Sequence, residues 1–161
     1  MPNQPSISPL AEFLQELSRQ KIRCILIGMM AAVEQGAPLA TIDFDFWVDL
    51  PKRQIVRIYE ILGRTGGTLM APTFYELRDG TQVNLVFEPS GLQSFAVEYA
   101  RSRQLKLAGF SIRVLPLSRV IASKRAAARD KDKQALPVLE RTLKLRRKLD
   151  RKSGKNAPRR A

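Results

Sequence analysis

The chain has 161 residues, 28 Lys/Arg against 15 Asp/Glu, a formal net charge of +13, one cysteine and no histidine. That length predicts one domain with one core. The missing residue types exclude a Ser-His-Asp triad, histidine-built zinc sites and an internal disulfide. No apolar run approaches the roughly 18 residues of a membrane span, residues 1–9 lack a basic-then-apolar signal pattern, and a lone cysteine suits a reducing compartment. A cytoplasmic protein with no membrane partner is therefore expected.

Ser8-Pro9 is a helix start, a capping hydroxyl followed by proline at the first helical position. Leu10, Phe13, Leu14 and Leu17 continue at helical spacing to about Gln20. Cys24 to Ile27 is a continuous apolar run that reads as a buried strand, with Cys24 as inert core. Gly28 follows at once, then a short helix over 29–35 that stops at Gly36. Ile42 to Val48 reads as a strand carrying Asp43 and Asp45 on one face and Ile42, Phe44 and Phe46 on the other. Trp47 and Phe46 belong to the core.

Ile55, Ile58, Tyr59 and Leu62 mark a second helix ending near Gly63. Short strands are expected between Thr68 and Leu77, and Asp79-Gly80 signals a hairpin into a strand over 83–87. A helix over 95–103 and a strand over 111–115 follow. An alanine-rich helix is predicted over 117–128, with Ser118 as its cap. After a break near Arg129-Asp130, a last helix runs from Gln134 to about Leu149, with Pro137 in its first turn. The sum is an α/β or α+β domain with a mixed sheet of about four or five strands, flanking helices and a C-terminal helical pair.

The charge is uneven. Residues 141–161 hold ten Lys/Arg and one acid, Asp150, and so carry +9 of the +13. Residues 1–149 are assigned to the folded domain and 150–161 to a basic tail, with 153–158 expected to be disordered. That tail is compatible with RNA or DNA phosphates as partners, or with a solubilising end. It has no aromatic residue for base stacking.

Two carboxylates side by side on a half-buried strand repel each other and cost desolvation. A divalent cation between them removes both penalties, and with no histidine in the chain the ion expected is a hard one on oxygen ligands, Mg²⁺. The alternative is a pair of solvated acids on an exposed strand face. A glycine at a strand-to-helix turn lets backbone N–H groups approach a phosphate. Gly28 ahead of Asp43 and Asp45 is thus a pattern for nucleotidyl transfer from a Mg²⁺–triphosphate. A third carboxylate on a neighbouring strand completes a second metal position in that chemistry. The central polar residue of the candidate strand is Asn84, which can ligate through oxygen but cannot act as a base.

The run Ile25-Leu26-Ile27-Gly28-Met29, then Thr41-Ile42-Asp43-Phe44-Asp45-Phe46-Trp47-Val48, resembles the nucleotidyltransferase fold of the DNA polymerase beta superfamily. Leu115-Pro116-Leu117-Ser118-Arg119-Val120-Ile121-Ala122-Ser123-Lys124-Arg125-Ala126-Ala127, followed by Lys131-Asp132, is similar to the C-terminal block of small bacterial nucleotidyltransferase-like proteins. That group includes the toxins of abortive-infection type IV systems. The resemblance covers roughly residues 10–145. It implies that Asp43 and Asp45 bind the metal and act in catalysis, with Asn84 at the position of the third catalytic carboxylate. It implies a nucleotide site formed by Gly28, Met29, Thr41, Lys124 and Asp132, although Asp132 also reads as a helix cap or ion-pair residue. Met29 stands where a second Gly or Ser is usual.

The function expected is Mg²⁺-dependent transfer of an NMP from an NTP to a hydroxyl of RNA, protein or a small molecule. A role in a toxin–antitoxin or defence module, with a cognate partner protein, follows from the resemblance alone. The alternative is a degenerate nucleotidyltransferase fold that binds nucleotide or a partner without turnover.

Overall fold

The computed structural model describes residues 6–155. The chain opens with helix α1, Pro9–Arg19, capped by Ser8, whose hydroxyl accepts from the Ala11 amide. Strand β1, Cys24–Ile27, leads directly into α2, Gly28–Glu34, and then into β2, Asp43–Val48. A single 3-10 turn precedes α3, Val56–Thr65, and three strands follow: β3, Thr68–Ala71; β4, Phe74–Glu76; and β5, Gln82–Val86. Helix α4, Phe95–Arg101, introduces the hairpin of β6, Arg103–Leu107, and β7, Phe110–Val114. Helices α5, Leu117–Ala127, and α6, Asp130–Lys155, complete the described chain.

The strands form one mixed sheet in the order β3-β4-β5-β2-β1-β7-β6. Pairs β1/β7 and β2/β5 are parallel and the other four are antiparallel. Helix α1 packs on α3 and β7, α2 on β1, β2 and α5, and α5 on α6. The core is apolar and includes Phe13, Ile25, Leu26, Phe46, Ile58, Val114 and Leu139, all fully buried. Trp47 is buried too and donates its indole N–H to the Phe87 carbonyl. Burial pushes the Cys24 thiol up to about 12, so it stays protonated and inert.

The sheet has seven strands where four or five were expected. The largest omission is β6, whose Arg-Gln-Leu-Lys-Leu sequence is mostly polar because it lies at a sheet edge and is paired on one side only. Strand β2 begins at Asp43 rather than Ile42, and Ile42 is 73% exposed, not part of the apolar face. Its register explains this: β1 ends at the Ile27↔Asp45 pair, so Ile42 has no partner strand there to cover it. Helix α3 runs through Gly63 and stops at Gly66, whose φ of +78° supplies the left-handed turn. Helix α5 is entered through Pro116, without a Ser118 cap.

Helix α6 starts four residues earlier than expected and continues past 149 to Lys155, so Ser153 and Gly154 are helical. Cations concentrated at a helix C-terminus oppose its negative dipole end, which favours this extension. Asn156, Ala157 and Pro158 lie outside the described residues.

Candidate active site

The three central strands place the acids. Asp45 lies opposite Ile27 of β1 on one side and opposite Asn84 of β5 on the other, and Asp43 precedes it by one strand period on the same face. The chain turns from β1 into α2 at Gly28 with a φ of +70°, a conformation L side chains rarely adopt. A Cβ there would sit 2.3 Å from Asp45 Oδ2. Glycine is required at this point because the carboxylate lies against the backbone. Ile27 provides no side-chain cap, so the opening amides of α2 at Gly28 and Met29 are left to whatever occupies the space in front of them.

The acid pair is poorly compensated. Asp43 Oδ1 is buried and has no hydrogen-bond partner among the described residues. Burial raises the Asp45 pKa above its ordinary value; a bond from Asn84 and the charges of Lys124 and Lys131 oppose the rise, and Asp43 reinforces it. The Asn84 amide donates through Nδ2 to Asp45 Oδ1 at 3.1 Å, and its Oδ1 accepts from the Thr73 hydroxyl at 3.4 Å. Asn84 therefore acts toward the pair as a donor, the reverse of what a carboxylate there would do.

A second cluster faces the pair from the α5–α6 junction. Ala128 turns left-handed at φ +52°, ending α5 and letting α6 begin two residues later. Asp132, fully buried in the first turn of α6, accepts from the Arg129 backbone N–H at 3.2 Å, which caps the helix from within. It also accepts from Lys124 Nζ at 3.1 Å and Arg129 Nε at 2.8 Å. Burial alone would raise the Asp132 pKa, but the bonds from Arg129 and Lys124 outweigh it and hold the carboxyl below its ordinary value. Asp132 is thus both the helix cap and ion-pair residue of one reading and a cleft residue of the other.

The acid pair, Gly28, Asn84 and the Lys124–Arg129–Asp132 cluster line one cleft of about 810 Å³. It brings together Gly28, Met29, Thr41, Asp43, Asp45, Asn84, Lys124 and Asp132, every position singled out in the sequence. It also contains Arg129, Lys131, Ser123 and Glu88, which the sequence reading left out. Arg129 and Lys131 were hidden because they look like ordinary surface cations; Arg129 immediately precedes α6 and Lys131 lies in its first turn, a helix that the sequence reading began only at Gln134. Glu88 and Ser90 reach the cleft because Gly91, with φ +68°, lies against α5. A Cβ on Gly91 would come within 2.4 Å of the Ala126 side chain.

The pair suits one hard cation. Two adjacent carboxylates offer oxygen ligands, one of them an orphaned buried atom, in a cleft large enough for water and phosphate to complete the shell. No group of three or more acidic, histidine or cysteine side chains comes together as a metal cage among the described residues. The donor set therefore fits one ion and does not supply a full protein shell for a second.

No protein-family model matches the chain, and neither does any curated protein sequence. Solved structures do. The solution structure of the antibiotic-resistance factor ANT(2'')-Ia superposes with a TM-score of 0.54 over 92% of each chain at 14% identity. The same factor crystallised with adenylyl-2''-tobramycin gives 0.51, covering 89% of this chain and 96% of that one, also at 14% identity. The lincosamide antibiotic adenylyltransferase LnuA, bound to lincomycin, gives 0.53 over 86% and 98% at 11% identity. The chain has the nucleotidyltransferase fold, as its strand–glycine–helix and Asp-x-Asp runs led one to expect.

Proposed function

We propose that the protein transfers a nucleoside monophosphate from an NTP to a hydroxyl acceptor, with Mg²⁺ held by Asp43 and Asp45. The observation that carries this reading is the buried, unpartnered Asp43 Oδ1 beside Asp45 in a cleft rimmed by Lys124, Arg129 and Lys131. A bound divalent ion would neutralise triphosphate charge and polarise the phosphorus being attacked. The chain's own residues do the rest. The Gly28 turn lets the Asp45 carboxylate lie against the backbone, and the opening amides of α2 face the cleft where phosphate oxygens would sit. Lys124, oriented by Asp132, presents its ammonium toward the same space. Arg129 and Lys131 add positive charge where the leaving pyrophosphate develops negative charge. The structural neighbours support this class of reaction: one holds adenylyl-2''-tobramycin and another is a lincosamide antibiotic adenylyltransferase.

The test is label transfer from each α-³²P NTP in Mg²⁺ to total RNA, lysate protein or small hydroxyl compounds. Transfer by wild type and none by Asp43→Ala is the expected result; absence from wild type, or equal transfer by the variant, sinks the proposal. If the chain is a toxin with a cognate partner, expression arrests growth and Asp45→Ala relieves it.

One observation favours a second reading. Asn84 Nδ2 is bonded to Asp45 Oδ1, so the position beside the pair holds a donor rather than a base. On this reading the protein binds Mg²⁺–NTP and does not turn it over. Nucleotide-dependent stabilisation without product would distinguish it from the first.

A further inference from the structure

Helix α5 has two working faces. Lys124 points into the cleft, and its neighbour Arg125 points into a second hollow of about 540 Å³ between α5 and α6. The floor of that hollow is apolar, made by Ile121 and Leu143. Its outer wall is α6, which contributes Lys144, Arg147, Lys148 and Arg151.

These four cations stand at i, i+3, i+4 and i+7, so they share one face of the helix. Like charges at this spacing repel and weaken a helix. Their one acidic neighbour in the hollow, Glu140, is already bonded to Arg125. None of the four forms an ion pair among the described residues. An isolated charge run is ordinarily just a solvated surface, but here the run lines a concavity with an apolar floor, and the chain sustains its self-repulsion.

We propose that this α5–α6 groove binds the phosphate backbone of single-stranded RNA. The cations extend about 10 Å along the helix axis, a line of positive charge suited to successive phosphates rather than to a single anion. A single row of cations beside an apolar floor engages one phosphate backbone at a time. No aromatic residue lines it, so it holds the backbone without reading bases. Because Arg125 and Lys124 are adjacent on α5, a strand in the groove lies about one helix diameter, roughly 10 Å, from the cleft. That places the hydroxyl of an RNA end within reach of the Asp43–Asp45 pair. This last step rests on the transfer reading above; the binding itself does not.

The experiment measures binding of a fluorescein-labelled 20-nucleotide mixed-sequence RNA to the full chain, without NTP, across a KCl series. The test variant is Lys144→Ala/Arg147→Ala/Lys148→Ala. The control is Arg53→Ala/Arg64→Ala/Lys106→Ala, which removes equal charge from exposed positions elsewhere. The expected result is a loss of roughly tenfold or more in affinity for the test variant, with the slope of log K against log salt reduced by about 2. The control stays near wild type, and because no NTP is present the reading holds whether or not the protein is a transferase.

Equal weakening by both triple variants would reduce the effect to net charge and overturn the proposal. So would unchanged binding in the test variant, which would move the contact elsewhere in the chain. Absence of RNA binding, or binding to phosphatidylserine–phosphatidylcholine vesicles in its place, would assign the groove to another class of partner or to none. Circular dichroism confirms that the exposed substitutions leave the fold intact.

Discussion

Two fully buried and two half-buried carboxylates of this protein are treated in opposite ways. Glu98, fully buried in α4, receives the Arg119 guanidinium at 3.1 Å on both oxygens, a second arm at 2.5 Å and the Gln93 amide at 3.1 Å. Asp132 is likewise saturated by Lys124 and Arg129. Burial opposes ionisation at both, yet the bonds from these partners win and both pKa values fall below their ordinary ranges. Asp43 and Asp45 receive far less: one bond, from Asn84 Nδ2 to Asp45 Oδ1, and no ion pair among the described residues. One has an orphaned oxygen, and the pKa of the other is driven up by burial. The first two acids hold α4, α5 and α6 in place. The second two cost stability, which a chain sustains where a ligand supplies the missing positive charge.

The largest effect that separates the two groups is on turnover. Asp43→Ala or Asp45→Ala should lower NMP transfer by about 10³-fold, since ion-mediated charge stabilisation is worth several kcal/mol. Asp45→Asn should at the same time raise the melting temperature of the ligand-free protein, because it removes a charge that burial penalises. A fall in melting temperature would break the comparison.

Next in size is Asp132→Ala. It strands Lys124, only 13% exposed, and removes the internal cap of α6, so about 3 kcal/mol of stability should disappear in urea titration. The pH dependence follows from the same bonds. Depressed carboxylates contribute stability above their unfolded values of 3.8 for Asp132 and 4.5 for Glu98. That stability is lost as pH falls through the lower folded values. Acid unfolding should therefore be shallower in Asp132→Asn and Glu98→Gln than in wild type.

Gly28→Ala ranks third, at about 2 kcal/mol, because φ is +70° and the new methyl meets Asp45 Oδ2. Transfer should fall with it as the carboxylate is displaced. The smallest effect is Asn84→Asp. Exchanging a donor for a third negative charge beside Asp45 should cost about 1 kcal/mol in the ligand-free protein. It should also tighten Mg²⁺ binding in a calorimetric titration and raise transfer. A stabilised variant with no change in Mg²⁺ affinity would show that Asn84 does not face the ion.

Much of the cleft could be read from the chain because short-range rules place it. Strand alternation puts Asp43 and Asp45 on one face, and a glycine directly after an apolar strand marks a turn. Arg129 and Lys131 resisted the same reading. Their positions depend on Ala128 adopting a left-handed turn, which nothing in its side chain announces. The donor role of Asn84 was also not legible, since it depends on Thr73 from the loop before β4 and on the β2/β5 register. Strand β6 escaped because an edge strand needs no apolar face. The unexpected reach of α6 to Lys155 adds Arg151, first read as tail, to the wall that Lys144, Arg147 and Lys148 make on the predicted part of the helix.

The claim that Asp43 and Asp45 are left uncompensated for a metal–nucleotide ligand is tested most directly by thermal denaturation with Mg²⁺ and an equimolar mixture of the four NTPs. At ligand well above its dissociation constant, the wild-type melting temperature should rise by about 5 °C. The rise should vanish in EDTA and in Asp43→Asn/Asp45→Asn, whose ligand-free form should melt above ligand-free wild type. No rise in wild type, or an equal rise in the double variant, would contradict the account.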